Sequence, residues 1–284
     1  MVFDPRKVGP RMRMMLPEMT PAEVRITEAL LEQAAIEDVS IKQVAQIADV
    51  SEAAVVKTAK RLGDGGFREL RAALQAYSEQ PHADLHQDVE PDDTAETIIQ
   101  KVFRTSIQAL QETLAIIDIE GFKHAANLIH SAKQVDCYGL GGSAQIARDV
   151  AHKFLRIGRR CNVFDDTHMM AMSAALLGPS DAVIAFSHSG RSTGILDAVH
   201  IAKQNRASII TLSNYDTSPL AKLSDVVLLS TARGSPLTSE NAAARIAQLN
   251  IMDAIFIAVA QKGYAQAEKN LERTMGAVQT KRET

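Results

Sequence analysis

Cysteine is scarce in this chain of 284 residues, and uninterrupted apolar segments are short. Cys137 and Cys161 lie in apolar, strand-like runs without metal-ligand spacing, which predicts reduced core residues of a cytoplasmic protein. The histidines are scattered and none pairs with a cysteine at zinc-finger spacing, so we expect neither a metal nor a cofactor. No stretch reaches about 18 uncharged apolar residues, so we expect no membrane span. Residues 1–15 lack the apolar core of a secretory signal.

The apolar content that is present, 46% of the residues, suffices for a substantial core in one large or two ordinary domains. Strand-like runs alternate with helical patterns in the second half of the chain, which predicts a parallel sheet covered on both faces. We therefore expect an α/β fold in which an all-α N-terminal domain precedes a three-layer αβα domain. The five predicted strands are 134–139, 160–164, 181–187, 207–213 and 225–230.

The third of these strands leads directly into a polar loop, Ser187-His188-Ser189-Gly190-Arg191-Ser192-Thr193, and a helical pattern follows. A strand that feeds a helix N-terminus leaves backbone N–H groups unpaired and places the positive end of the helix dipole at the loop. Together with the hydroxyls, these groups predict a site for a phosphate or a carboxylate. The alternative interpretation is a serine-rich turn whose hydroxyls only cap the helix.

The first strand also ends in a loop of this kind, Gly139-Leu140-Gly141-Gly142-Ser143, before another helix. Its spacing is not the G-x-G-x-x-G of dinucleotide-binding loops, although Asp165 and Asp166 come near the position of a ribose-binding carboxylate. In parallel sheets, ligands bind beyond the carboxyl ends of the strands, where both loops would lie. The pair therefore fits a sugar phosphate better than a dinucleotide.

A separate pattern lies near the N-terminus, after residues 1–19, which read as a loose basic arm with one short helix. Thr20-Pro21-Ala22-Glu23 has the N-cap threonine, first-turn proline and glutamate of a helix start. Ser40 and Ser51 are predicted to cap two helices around a turn at Asp49, the layout of a helix-turn-helix. Glycine usually holds that turn position, but aspartate tolerates left-handed backbone geometry. An ordinary helical hairpin is the alternative.

Charge favours a DNA-binding role for this segment. Lys and Arg nearly balance Asp and Glu over residues 1–80, but the cations concentrate after the turn. Phosphate contacts need cations there, so we predict that the second helix enters the major groove of DNA. The stretch from 57 to 71 contains Lys57, Lys60, Arg61, Arg68 and Arg71 against only Asp64 and Glu69. The predicted DNA-binding residues are Ser51, Glu52, Ala53, Lys57, Lys60, Arg61 and Arg68.

Ser51–Lys57 and Gly66–Leu70, joined to the two serine- and glycine-rich loops, resemble the RpiR family of bacterial regulators, which carry a helix-turn-helix and a sugar isomerase (SIS) domain. Within the family, Gly141–Ser143, His152–Gly158 and Ala244–Leu249 resemble the repressors of ribose-phosphate isomerase and allose operons. The resemblance implies a phosphosugar effector held by Ser187, His188, Ser189 and Ser192, with Gly142 and Ser143 alongside. The full set of implied effector-binding residues is Gly141, Gly142, Ser143, Ser187, His188, Ser189, Gly190, Ser192, Asp166 and His168.

Several expectations follow from this resemblance and from the residues together. We expect a helix-turn-helix domain over residues 1–79, a polar linker over 80–93 and an SIS domain over 94–284. Operator DNA, a sugar phosphate and further copies of the chain, as a homodimer or homotetramer through the SIS domain, are the expected partners. Asp166-Thr167-His168 either contacts a sugar hydroxyl or makes an ordinary loop hydrogen bond. The methionines Met169, Met170 and Met172 are expected to fill core.

Three functions compete: a repressor controlled by a sugar phosphate, a phosphosugar isomerase with a helical appendage, and an SIS-like scaffold without a ligand. Isomerisation needs a base that shuttles a proton between neighbouring carbons. Glu240 and His188 are the candidates near the loops, and neither has a neighbour in the sequence that would tune its pKa. An isomerase also has no use for a cationic recognition helix. The sequence therefore favours a regulator that is not an enzyme.

Overall fold

The computed structural model describes residues 4–36, 39–63, 65–79, 89–232 and 242–279. Contacts divide the chain into two compact units, residues 1–116 with 231–243 and residues 117–230 with 244–284. Most of the predicted linker, residues 80–88, lies outside the described residues, as do Asp64 and Glu240. The domain boundaries expected at residues 79 and 94 stay a prediction.

The first unit is helical in its described part, and its helix starts follow from local capping chemistry. Thr20 forms a capping box with Glu23, and Ser40 forms one with Gln43. The Ser51 hydroxyl accepts a hydrogen bond from the Ala54 N–H. The three predicted caps are therefore confirmed. The helices are α1 (Pro5–Met15), α2 (Pro21–Glu32), α3 (Ile41–Ile47), α4 (Glu52–Leu62), α5 (Gly66–Ser78) and α6 (Ala95–Ile116), with a 3₁₀ turn at Leu16–Glu18.

The short helix expected within residues 1–19 is confirmed as α1, whereas the expectation of a loose arm is wrong for the described part, because α1 packs into the core of the first unit. Asp4 caps it and Pro5 stands at its first position, where the missing N–H costs nothing. Pro10 lies inside the helix and removes one internal hydrogen bond. Val8 and Met12, one turn apart, are buried in the core of the first unit. Their burial outweighs the lost bond.

A buried polar cluster ties α1, α5 and α6 together. The Arg13 guanidinium pairs with the Glu112 carboxylate, and Glu112 also accepts hydrogen bonds from the Tyr77 hydroxyl and, at 2.8 Å, from Gln108 Nε2. Burial opposes ionisation of Glu112, but the charge of Arg13 and these hydrogen bonds outweigh it and hold the pKa of the carboxyl below its usual value. The cluster therefore carries a charged pair inside the unit.

The second unit contains, in its described part, a five-stranded parallel sheet in the order β2-β1-β3-β4-β5. All five predicted strands are confirmed within about two residues at either end, as is the αβα architecture. The strands are β1 (Val135–Gly139), β2 (Cys161–Phe164), β3 (Ala182–Phe186), β4 (Ser208–Ser213) and β5 (Val226–Leu229). The helices are α7 (Ile119–Ser131), α8 (Gly142–Arg156), α9 (Thr167–Leu176), α10 (Thr193–Gln204), α11 (Pro219–Leu223), α12 (Ala242–Lys262) and α13 (Tyr264–Gln279).

Two apolar clusters cover the two faces of this sheet. On one face, α7, α8, α12 and α13 pack against side chains such as Ile184 and Phe186 of β3. On the other face, α9, α10 and α11 pack against Tyr138 of β1 and Val183 of β3. Neither face of β3 meets water, and this explains why the strand is an uninterrupted run of buried apolar residues.

Helix α12 is long and apolar enough, by composition, to cross a bilayer. Ile251, Met252 and Ile255 nevertheless belong to the core cluster on the sheet, and a core helix meets the same compositional test as a membrane span. The expectation that the α9 methionines fill core holds only for Met170. Met169 and Met172 are 49% and 61% exposed, because α9 turns only one face toward the sheet.

Replacing Glu112 should destabilise the protein strongly. Glu112→Gln removes the counter-charge of Arg13 and leaves a buried guanidinium uncompensated, which typically costs about 3–5 kcal/mol of unfolding free energy. Glu120→Gln is the matched control, since the Glu120–Lys123 pair lies on the surface and should contribute little. Urea unfolding at pH 7, followed by circular dichroism, measures both. Equal, small effects of the two substitutions would show that the Arg13–Glu112 pair is unimportant for stability.

Candidate functional site

The first candidate site lies where the strand order of the sheet reverses. Strands β1 and β3 are neighbours, and their last paired residues are Gly139 and Phe186. The helix after β1 covers one face of the sheet and the helix after β3 covers the other. In open α/β sheets such a switch point opens a crevice between the two outgoing loops, and ligands bind there. The two loops singled out from the sequence are therefore brought together.

The loop after β1 depends on glycine at two positions. A Cβ added at Gly139 would stand 2.7 Å from the Ser143 carbonyl oxygen, so only glycine lets the strand and α8 approach this closely. Gly141 adopts φ +55°, a left-handed conformation, and apart from its chain neighbours no described residue has an atom within 4 Å of where its Cβ would be. Gly142 then begins α8, with Ser143 in its first turn. The loop thus presents a helix N-terminus beside an open space.

The loop after β3 is tightly folded around Ser187. The buried Ser187 hydroxyl accepts a hydrogen bond of 3.1 Å from the Gly190 N–H and lies 3.3 Å from the Ser192 hydroxyl. Gly190 has φ +62°, and a Cβ there would stand 2.2 Å from the Ser218 Oγ. Ser192 is the N-cap of α10, yet its side chain makes no capping hydrogen bond. The alternative of a merely capped turn therefore does not describe Ser192.

The end of β4 supports this loop from behind. The Asn214 N–H and the Ser213 hydroxyl both donate to the His188 carbonyl oxygen, at 3.1 and 3.2 Å. The exposed His188 ring meets the Tyr215 ring edge-on, with ring centroids 6.0 Å apart. Ser189 is half-buried, and its hydroxyl accepts a hydrogen bond from the Arg191 N–H. The backbone of the loop is thus held in place, and the His188 side chain is exposed.

The Asp166–His168 segment lies beside the same crevice. Asp166 caps α9 by accepting a 2.9 Å hydrogen bond from the Met169 N–H, as the ordinary loop interpretation expected. A Cβ added at Gly194, near the start of α10, would stand 2.3 Å from Thr167 Cγ2 and 3.8 Å from Leu140 Cδ1. The starts of α9 and α10 and the β1 loop therefore converge on Gly194. A sugar contact by Asp166 or His168, both exposed, stays a prediction.

Sequence reasoning missed Gly194 and the buried polar residues at the ends of β4 and β5. The signal was available, because serine, asparagine and threonine directly follow apolar strand residues there. A polar side chain at the carboxyl end of a parallel strand lies at the ligand-binding edge of the sheet. The missed residues are Ser213, Asn214, Ser230 and Thr231, all buried.

The second candidate site is the exposed face of α4. Asp49 has φ +51°, so the turn between α3 and α4 uses the left-handed geometry predicted for it. Arg25 Nε donates to the Ala48 carbonyl oxygen at 2.8 Å and ties the turn to α2. Val55, Thr58 and Ala59 bury the inner face of α4. All of the predicted DNA-binding residues are exposed, namely Ser51, Glu52, Ala53, Lys57, Lys60, Arg61 and Arg68.

Two of the arginines counted in the cationic stretch already have partners inside the unit. Arg61 pairs with Glu23 at 2.7 Å and donates to the Glu18 carbonyl oxygen. The Thr20 N–H and Arg61 together lower the pKa of the Glu23 carboxyl to about 2. Arg71 is buried and donates to the carbonyl oxygens of Gln33 and Ile36, just beyond the end of α2. The free positive charge near the α4 face therefore comes chiefly from Lys57, Lys60 and Arg68.

Two family models match the chain: a helix-turn-helix domain of the rpiR family over residues 7–81 and an SIS domain over residues 128–258. The HTH-type transcriptional regulator RpiR of Escherichia coli K12 is 42% identical over 272 residues, 95% of this chain and 92% of that protein.

Solved structures share the fold. The Vibrio vulnificus NanR protein complexed with ManNAc-6P matches with a TM-score of 0.63 at 24% identity, covering 98% of this chain and 100% of that one. Phosphoheptose isomerase GmhA from Neisseria gonorrhoeae matches with a TM-score of 0.51 at 21% identity, covering 58% of this chain and 99% of that one. The αβα fold is therefore shared with NanR and with a phosphoheptose isomerase.

Proposed function

The chain belongs to the rpiR family of helix-turn-helix transcription regulators, and from that premise we propose that a phosphorylated sugar bound at the switch point controls its binding to operator DNA. The convergence of the β1 and β3 loops on one crevice carries this proposal. We propose repression as the direction of control and the cytoplasm as the place of action. We also propose that the protein forms homodimers or homotetramers through its SIS domain.

The chemistry of the crevice suits a phosphate attached to a polar body. Two helix N-termini, those of α8 and α10, begin at its loops, and each carries partial positive charge that favours an anion. The Ser192 hydroxyl has no capping duty and can donate to a phosphate oxygen. The glycine-rich β1 loop leaves space for the sugar. The relative NanR, described with ManNAc-6P, supports this class of ligand.

The exposed face of α4 supports the DNA-binding half of the proposal. In a helix-turn-helix, residues near the start of the second helix contact base edges, and two-fold symmetric dimers bind half-sites one helical turn apart. Glu52 and Ala53 occupy the start of α4, whereas Lys57 and Lys60 lie one and two turns further on. We therefore assign sequence preference to the first pair and phosphate contacts to the second.

An isomerase is the second candidate, because phosphoheptose isomerase shares the fold. Of its two candidate bases, only His188 lies among the described residues, and its position gives the isomerase little support. The His188 ring is exposed and packs edge-on against Tyr215. We propose that the protein binds sugar phosphates without converting them.

Ser192→Ala and Ser189→Ala should weaken effector binding by roughly ten- to a hundredfold, since a hydrogen bond to a charged group contributes ~1.5–3 kcal/mol and ~1.4 kcal/mol is tenfold. Ser131→Ala, which removes a hydroxyl bonded to its own helix, is the control. Thermal shifts against a panel of phosphorylated sugars identify the ligand, and calorimetry measures its affinity. Parental affinity in both loop variants would place the phosphate elsewhere.

Lys57→Ala and Lys60→Ala should weaken binding to specific and random DNA alike and make it less salt-dependent, because phosphate contacts carry no sequence information. Glu52→Ala should instead change sequence preference. Gel shifts at two salt concentrations, using the region upstream of the protein's own gene and a scrambled fragment, separate these effects. Lys123→Ala on α7 is the control. DNA binding that neither lysine substitution weakens would argue against α4 as the DNA-binding helix.

Purified protein should not interconvert aldose and ketose phosphates, even at concentrations that saturate its sugar-phosphate site. The assay follows each member of the panel by phosphorus NMR over hours. Turnover that Glu240→Gln or His188→Gln abolishes would establish the isomerase instead.

A further inference from the structure

A cluster of buried polar side chains lies at the ends of β4 and β5. The Ser230 hydroxyl donates to Asn214 Oδ1 at 2.7 Å, and Gln248 Nε2 donates to Ser230 Oγ at 3.1 Å and toward Asn214 Oδ1 at 3.4 Å. All three side chains are less than 5% exposed. Buried polar groups of this kind stabilise a fold only while their hydrogen bonds are complete. The cluster is therefore sensitive to small displacements of any member.

This cluster holds the proposed effector loop. The Asn214 N–H donates to the His188 carbonyl oxygen, and the Ser230 N–H donates to the Ser213 carbonyl oxygen at 3.0 Å. Ser213 in turn donates its hydroxyl to the same His188 oxygen. A shift of the β3 loop on ligand binding would therefore change the geometry at Ser230.

The next residue along the chain, Thr231, belongs to the first unit. Its N–H donates to Thr113 Oγ1 at 3.1 Å, and the Thr113 hydroxyl lies 3.4 Å from the Thr231 carbonyl oxygen. Both threonines are buried, at 2% and 3% exposure. Residue 231 is thus fastened to α6 through its own backbone, one peptide bond after Ser230.

Thr113 directly follows Glu112, the centre of the buried ionic cluster in the first unit. Glu112 binds Arg13 of α1 and Tyr77 of α5. Helix α5 packs against α4, which carries the predicted DNA-binding face. Hydrogen bonds within each unit, together with the Ser230–Thr231 and Glu112–Thr113 peptide bonds, therefore connect His188 to α1, α5 and α6.

Taking the switch point as the effector site proposed above, we propose that Ser230 and Thr113 are positioning residues of a buried hydrogen-bonded route that couples the β3 loop to the packing of α1, α5 and α6. Such coupling is reciprocal, so loosening either end loosens the other. The route gives the effector a physical means of changing how the DNA-binding helices are held.

Amide hydrogen exchange of the full-length, ligand-free protein tests the route from both ends. Thr113→Val removes the α6 hydroxyl and keeps the side-chain volume. We expect exchange to rise roughly two- to tenfold in peptides covering Leu212–Tyr215 and Leu228–Thr231, the range produced by losing about one neutral hydrogen bond. Ser230→Ala should raise exchange by a similar factor in peptides from the Gln108–Thr113 part of α6.

Thr105→Val is the matched control, because the Thr105 hydroxyl donates to the Lys101 carbonyl oxygen of its own helix. It should leave both regions unchanged. Unchanged exchange at 212–215 in Thr113→Val, or an equal rise in every peptide including those of α8, would overturn the route. The exchange experiment contains no sugar phosphate, so its result does not depend on the ligand screen. A failed screen would reject the proposed effector, and the exchange data would still test the route.

Discussion

The parallel pairing of β1 with β3 is the constraint on which the candidate effector site depends. It sets Gly139 beside Phe186, so the loops after both strands leave the sheet at one edge. Since the following helices cover opposite faces, the two loops part and leave a crevice between them. Neither loop would form the site alone. The proposed sugar phosphate, with its phosphate at α10 and its sugar at the β1 loop, would need both loops at once.

In the first unit, a buried charged pair connects two helices. The Arg13–Glu112 pair brings α1 and α6 together, and Tyr77 and Gln108 complete its hydrogen bonds on the carboxylate side. Well-packed apolar side chains often stabilise as much as such a pair, so its value lies in specificity as well as in stability. Through Glu112, α6 therefore contacts both α1 and α5.

Local chemistry explains most of what could be predicted. Thr20, Ser40 and Ser51 cap their helices because a hydroxyl reaches the N–H groups two or three residues on, whatever the rest of the chain does. Strand β3 could also be predicted, because burial on both faces requires an uninterrupted apolar run. The roles of Arg61 and Arg71 could not be predicted from the sequence. A count of charges cannot show that one pairs with Glu23 and the other binds the carbonyl oxygens of Gln33 and Ile36.

The sequence by itself determined the elements, their order, the left-handed turn at Asp49 and the two loops rich in serine and glycine. These depend on side-chain periodicity, caps and backbone sterics, which act over a few residues. Tertiary structure decided that α1 packs, that Met169 and Met172 face outward, and that Asn214, Ser230 and Gln248 form one buried polar cluster. Those outcomes depend on partners tens of residues away in the chain. Which distant groups meet is settled by the packing of whole helices and strands.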